Sequence, residues 1–195
     1  MKQIILTLLI LPFISFSSFA QQVVFLDAGH GGEDQGVIAV TGVNEAEINQ
    51  MFVQELKTYC ETKGMTVVLL NQGKSNLSIV DRAAFVNNYE VAKGQNPILI
   101  SIHCNYAKDE KISGQELYVG KGSNAEASKR IATNIQKMLG VQEVKQKALQ
   151  VLSVDYPAVL IEVGYLSNLQ DANSLMNEDD RAVIIQKIVA GLQLK

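Results

Sequence analysis

Cysteine is scarce, with only Cys60 and Cys104 among 195 residues. Two thiols cannot staple a loop-rich scaffold, so a hydrophobic core must hold the chain. Cys60 falls on an apolar stripe with Ile48, Met51, Phe52, Leu56 and Tyr59, which reads as core packing. A bridge from Cys60 to Cys104 in an oxidising compartment is an alternative that sequence leaves open. Basic residues are also short, 17 against 20 acidic ones. Setting aside Lys2 with the N-terminal segment leaves 16, a net charge of −4. This argues against a nucleic-acid partner held through its phosphates but leaves glycans and peptides open. No Pro-rich or Gly/Ser-rich linker, internal repeat or low-complexity tail breaks the chain, so no second targeting or binding domain is expected.

What is present begins with a targeting signal. Lys2 supplies a minimal basic region, Ile4 to Ile14 an apolar stretch, and Ser18-Phe19-Ala20 a small-x-small cleavage site. The alternative is a membrane anchor, for which the stretch is short. Residues 1–20 are therefore expected to be a Sec-type signal peptide and 21–195 the single mature domain. With no Cys at the cleavage site, the product should carry no lipid anchor and no stable membrane span. Its destination would be the periplasm, the extracellular space or the cell wall.

The remaining chain alternates strands and helices. Strands are expected at Val23 to Asp27, Thr66 to Asn71, Ile98 to Ile102, Gln115 to Val119, Lys147 to Leu152 and Ala158 to Glu162. Helices are expected at Glu45 to Lys63, Leu77 to Ala92, Ala125 to Leu139 and from about Asp179 to Leu192, the first opened by an Asn44/Glu47 capping box. The implied fold is a single α/β domain: a mostly parallel, twisted sheet of about six strands with helices on both faces.

Histidine is as scarce as cysteine, and its two copies are placed alike. His30 and His103 each follow an apolar run that reads as a buried parallel strand. Ligands of open α/β sheets bind beyond the carboxyl ends of the strands, so both imidazoles are delivered where a metal site would be built. Either alone could be a loop residue satisfying hydrogen bonds. Cys104 is not expected to share the metal with His103, because adjacent strand residues face opposite ways. The loop Gly29-His30-Gly31-Gly32-Glu33-Asp34-Gln35-Gly36 lacks the spacing of a phosphate or dinucleotide loop, and its glycines instead allow a sharp turn beside His30.

Two carboxylates complete the set. Glu45 opens the first helix; dipole placement alone would explain it, but with Glu47 engaged in the cap it is the one free to be a ligand. Glu162 follows the unbroken apolar run Pro157 to Ile161, and an acid there is costly to bury uncompensated. A nearby metal with its water would compensate it and give it a proton to take. The alternative is a carboxylate accepting N–H groups of the following turn.

The strings Leu26-Asp27-Ala28-Gly29-His30-Gly31-Gly32, Glu45-Ala46-Glu47-Ile48-Asn49, Ser101-Ile102-His103-Cys104-Asn105 and Pro157 to Asn168 resemble those of zinc-dependent N-acetylmuramoyl-L-alanine amidases of the amidase-3 type, in order along essentially the whole mature chain. The resemblance implies one zinc per chain held by His30, Glu45 and His103, with Glu162 as the catalytic carboxylate. It also implies hydrolysis of the amide between the lactyl group of N-acetylmuramic acid and L-alanine in peptidoglycan. Leu70-Asn71 stands where the family usually has Thr-Arg, Gln35 where it has Pro, and no basic residue precedes Val144-Lys145. These departures are expected to touch substrate contacts. Related amidases can carry a long helical insertion that occludes the metal. The short connections Asn105 to Gly114 and Gly120 to Asn124 leave no room for one, so a monomer active without an obligate activator is expected. A zinc peptidase acting on the stem peptide and a non-catalytic wall-binding protein are the rival readings.

Overall fold

The computed structural model describes residues 21–71 and 77–194; the expected signal segment, 1–20, lies outside them. Six strands form one sheet: β1 (Gln22–Ala28), β2 (Thr66–Leu69), β3 (Asn96–Asn105), β4 (Glu116–Val119), β5 (Val144–Gln146) and β6 (Ala158–Tyr165), in the order β2-β1-β3-β6-β4-β5. The four strands β2, β1, β3 and β6 are parallel, while β4 runs antiparallel to β6 and β5 parallel to β4. The expected mostly parallel α/β domain is therefore what the chain forms.

Both faces are covered, unequally. Helices α1 (Glu45–Thr62), α3 (Ala125–Leu139), α4 (Leu169–Met176) and α5 (Glu178–Gln193) pack on one face around a core that includes Phe52, Leu56, Ile135 and Ile188. On the other face, α2 (Ile79–Asn88) and a 3-10 turn at Gln150–Leu152 cover only a smaller cluster of Phe25, Val86, Leu99, Val151 and Leu160. Strand residues two apart share a face, so Asp27, Ser101, His103, Glu162 and Glu116 belong to the thinly covered side. The carboxyl ends of the parallel strands stay open there.

The segment 147–152 departs from expectation. Val151 and Leu152 are both buried, but they sit in a turn, where the Leu152 N–H bonds the Leu149 carbonyl at 3.0 Å. The strand lies earlier, at Val144–Gln146, where one apolar residue among three leaves little pattern to read. Helix α2 is shorter than expected because Tyr89 turns extended and sets its ring edge-on to Phe25, 5.1 Å away. Helix α4 was not foreseen: its buried face is only Ala172 and Leu175. Strands β3 and β6 run past their expected ends, so His103 lies within its strand rather than after it, and Glu162 within its strand rather than at its end. Both cysteines are buried and unbonded to each other.

Candidate active site

The chain leaving β1 is shaped by the side chains that meet it. A Cβ on Gly29 would fall 2.3 Å from His103 Cε1, so only glycine lets that imidazole lie against the backbone. His30 follows with φ of 62°, the left-handed region that non-glycine residues seldom occupy. Its surroundings hold it there. The His30 carbonyl accepts hydrogen bonds from Arg82 Nη2 at 2.7 Å and from Asn71 Nδ2. Arg82 also donates to the carbonyls of Ala28 and Leu77 and pairs with Asp27 Oδ1 at 2.9 Å, while the Ser101 hydroxyl takes Asp27 Oδ2. All of Asp27, Ser101 and Arg82 are buried. Asp34 Oδ2 lies 2.9 Å from His30 Nδ1, which leaves Nε2 facing inward.

Glu45 brings the two histidines together. As the first residue of α1 it points back over the sheet and is 3 % exposed. Its Oε2 lies 3.1 Å from His30 Nε2 and accepts the Val37 N–H; its Oε1 lies 3.2 Å from His103 Nδ1 and accepts the Cys104 N–H at 3.1 Å. Gly36, with φ of +65°, approaches so closely that a Cβ would fall 2.6 Å from Glu45 Oε2. Burial alone would raise the Glu45 carboxyl, but the hydrogen bonds of His103 and His30 outweigh it and hold the group well below the usual carboxylate range. In return the bond to Glu45, opposed by desolvation and aided by Asp34, pushes His30 up to about 9.

Donor atoms of His30, Glu45 and His103 all lie within 4.8 Å of one another. Two imidazoles and one carboxylate are a donor set that zinc accepts, and three protein ligands are the number that a catalytic zinc keeps. The residues therefore fit the metal. Cys104 turns its thiol the other way, 3.3 Å from Asn49 Oδ1, as strand alternation requires.

Glu162 stands next to His103 in the β3/β6 register. Its Oε2 is buried with no hydrogen-bond partner among the described residues. The N–H groups that could have tied it down are taken elsewhere: Tyr165 donates to Asp171, and Leu166 to the Asn105 carbonyl. Burial pushes the Glu162 carboxyl up to about 7, opposed by the charge of His103 and aided by Glu45 and Glu116. A carboxylate so placed can exchange a proton near neutral pH. A groove of about 440 Å³ opens beside the two histidines, lined by His30, His103 and Leu160 and walled by the start of α2 and the turn at Leu149 to Val151.

A family model for N-acetylmuramoyl-L-alanine amidases matches residues 24–194. The chain belongs to this family. Among its relatives is the probable cell wall amidase LytH of Staphylococcus saprophyticus, 30 % identical over 175 residues that make up 87 % of this chain and 57 % of LytH. The chain thus spans little more than half the length of that relative. The amidase fold is shared with the N-acetylmuramoyl-L-alanine amidase of Clostridium difficile 630, at a TM-score of 0.79 and 26 % identity over 89 % of this chain and 95 % of that one. It is shared as well with the CwlD amidase of Clostridioides difficile, solved in complex with the GerS lipoprotein, at a TM-score of 0.78 and 27 % identity over 88 % and 96 %.

In this amidase domain His30, Glu45, His103 and Glu162 gather at one end of the sheet. The role expected for Asn71 as a substrate contact is revised. It is fully buried and donates to the carbonyls of Ala28 and His30, bracing the backbone that carries His30. Sequence reading missed Arg82, Asp27 and Ser101. The signal was available: a polar residue interrupts each apolar strand, Asp27 three residues before one histidine and Ser101 two before the other.

Proposed function

We propose that this chain is a zinc-dependent peptidoglycan amidase that hydrolyses the amide between the lactyl group of N-acetylmuramic acid and L-alanine. The observation that carries the reading is the buried, unpartnered Glu162 oxygen beside a histidine, glutamate and histidine cluster, in a chain of the amidase family. His30 Nε2, Glu45 and His103 Nδ1 would hold the zinc. When bound, the metal supplies an acidified water and polarises the scissile carbonyl. Glu162 Oε2 takes the proton of the attacking water and returns it to the leaving nitrogen of L-alanine. Asp34 keeps the His30 ring turned inward, and the clamp of Arg82 and Asn71 fixes its backbone. Glu45 holds both imidazoles at hydrogen-bond distance, so the site needs little rearrangement to receive the ion.

Residues 1–20 serve as a cleaved export signal, and the mature monomer works in the periplasm or wall. No helix among the described residues is long and apolar enough to cross a membrane. The Asn105 to Gly114 and Gly120 to Asn124 connections are short, which supports activity without an activator, although the related CwlD was solved with a lipoprotein. Mass spectrometry of digested peptidoglycan tests the reaction. A new amine on L-alanine with the lactyl carboxylate left on the sugar is expected; cleavage inside the stem peptide, or none, would overturn it. Purified protein that stays inert until an extract is added would overturn independence from an activator.

A further inference from the structure

The open face of the sheet continues past Glu162 onto β4 and β5. Glu116 is the direct partner of Glu162 in the β4/β6 register, and Tyr118 follows on the same face, paired across the next ladder with Lys145. Lys145 Nζ donates to Glu116 Oε1 at 2.6 Å and lies 5.7 Å from the centre of the Tyr118 ring. Lys147 Nζ lies 5.7 Å from the centre of the same ring. Glu116 is fully engaged, since it also accepts bonds from the hydroxyls of Tyr118 and Tyr165 and from Asn105 Nδ2. Lys147 is exposed and has no acidic partner within ion-pair distance among the described residues. Two residues later, Leu149 begins the wall of the groove beside His103.

Lys145 is neutralised by Glu116, so Lys147 is the ammonium beside the Tyr118 ring whose charge is left without a counter-ion among the described residues, and an anion arriving there would pair it. On the proposed substrate such an anion can come from one side only. The lactyl carboxyl of the sugar is consumed in the scissile amide, and the glycan's hydroxyl and acetamido groups are neutral. Free carboxylates belong to the peptide. Strand β5 lies two strand spacings from β6, about 10 Å, which is the reach of roughly three extended residues.

We propose that Lys147 and Lys145, laid over the Tyr118 ring and anchored through Glu116, form a carboxylate subsite that draws the stem peptide from Glu162 across β4 toward β5. This inference rests on the amidase reading above. Glu116 and Tyr165 act as positioning residues, holding Lys145 and the floor of the subsite. Because Lys145 is tied into that network, Lys147 is the residue to vary.

The test measures binding of free stem peptide to the purified protein by calorimetry, using the peptide with its carboxylates free and the same peptide fully amidated. Peptidoglycan cleavage is assayed in the same preparations. Lys147→Gln should weaken the acidic peptide about threefold and Lys147→Glu about tenfold, with Lys147→Arg close to the parent and the effect shrinking at high salt. The amidated peptide should bind all four proteins alike. Equal affinity of parent and Lys147→Glu for the acidic peptide, in a protein that releases L-alanyl amines, would overturn the subsite and leave the amidase reading standing. Lys147-dependent binding in a protein that cleaves a different bond would overturn the amidase reading instead.

Discussion

At the scale of single residues, Glu162 carries the sharpest consequences. Burial raises its carboxyl to about 7, so between the ordinary value near 4.5 and about 7 the folded chain keeps a proton that the unfolded chain has released. In metal-free protein this group's contribution to stability therefore falls as pH rises through that window. Glu162→Gln removes the penalty. The variant should melt no lower than the parent at pH 8, yet turn over peptidoglycan at least ~10²-fold more slowly while still binding zinc. A variant that cleaves at close to the parent rate would contradict the proton-transfer role. His30 makes a second prediction. Its pKa near 9 in the metal-free site means that a metal entering at pH 7 must displace its proton. Calorimetric zinc titrations in buffers of different ionisation enthalpy should show release of about one proton. A buffer-independent heat would mean that His30 is already neutral.

At the scale of elements, the site is a matter of which strand or helix end delivers each group. The strand ends, the helix start that carries Glu45 and the Asn44 cap were legible, because apolar runs and capping residues are local signals; the Glu47 N–H does bond Asn44 Oδ1 at 2.9 Å. What holds His30 in its left-handed conformation was not legible, because Arg82 reaches it from α2 across 52 residues of chain. The 147–152 segment was misread for a related reason: its two buried residues answer to the cluster beneath the turn rather than to a strand ladder. The clamp makes its own prediction. Arg82→Ala leaves Asp27 buried without its counter-charge and removes the guanidinium's hydrogen bonds to the carbonyls of Leu77, Ala28 and His30, so it should cost about 3–5 kcal/mol of stability in denaturant unfolding. Replacing Asp27 with Asn in the same chain should recover part of that loss, because the uncompensated charge is gone. A clamp that served only to fill space would show no such recovery.

At the scale of the whole molecule, unequal cover of the sheet produces the function. Four helices close one face, while α2 and a short turn cover the other only partway, and the strand ends on that side carry His103, Glu162 and Glu116 in a row. The fold class could be read from the chain because strands and helices alternate along it, and the family because four of its motifs resemble those of the amidases. The open groove and the lysine-bearing edge could not, because they depend on how far α2 and the 3-10 turn extend over the sheet. In the proposed mechanism one metal on His30, Glu45 and His103 works with Glu162 on the muramoyl amide. The most direct test is to titrate zinc into chelator-stripped protein and record release of L-alanyl amines from peptidoglycan. The rate should rise from near zero in proportion to added zinc and level off at about one equivalent per chain. Stripped protein that still cleaves at the parent rate would contradict the account.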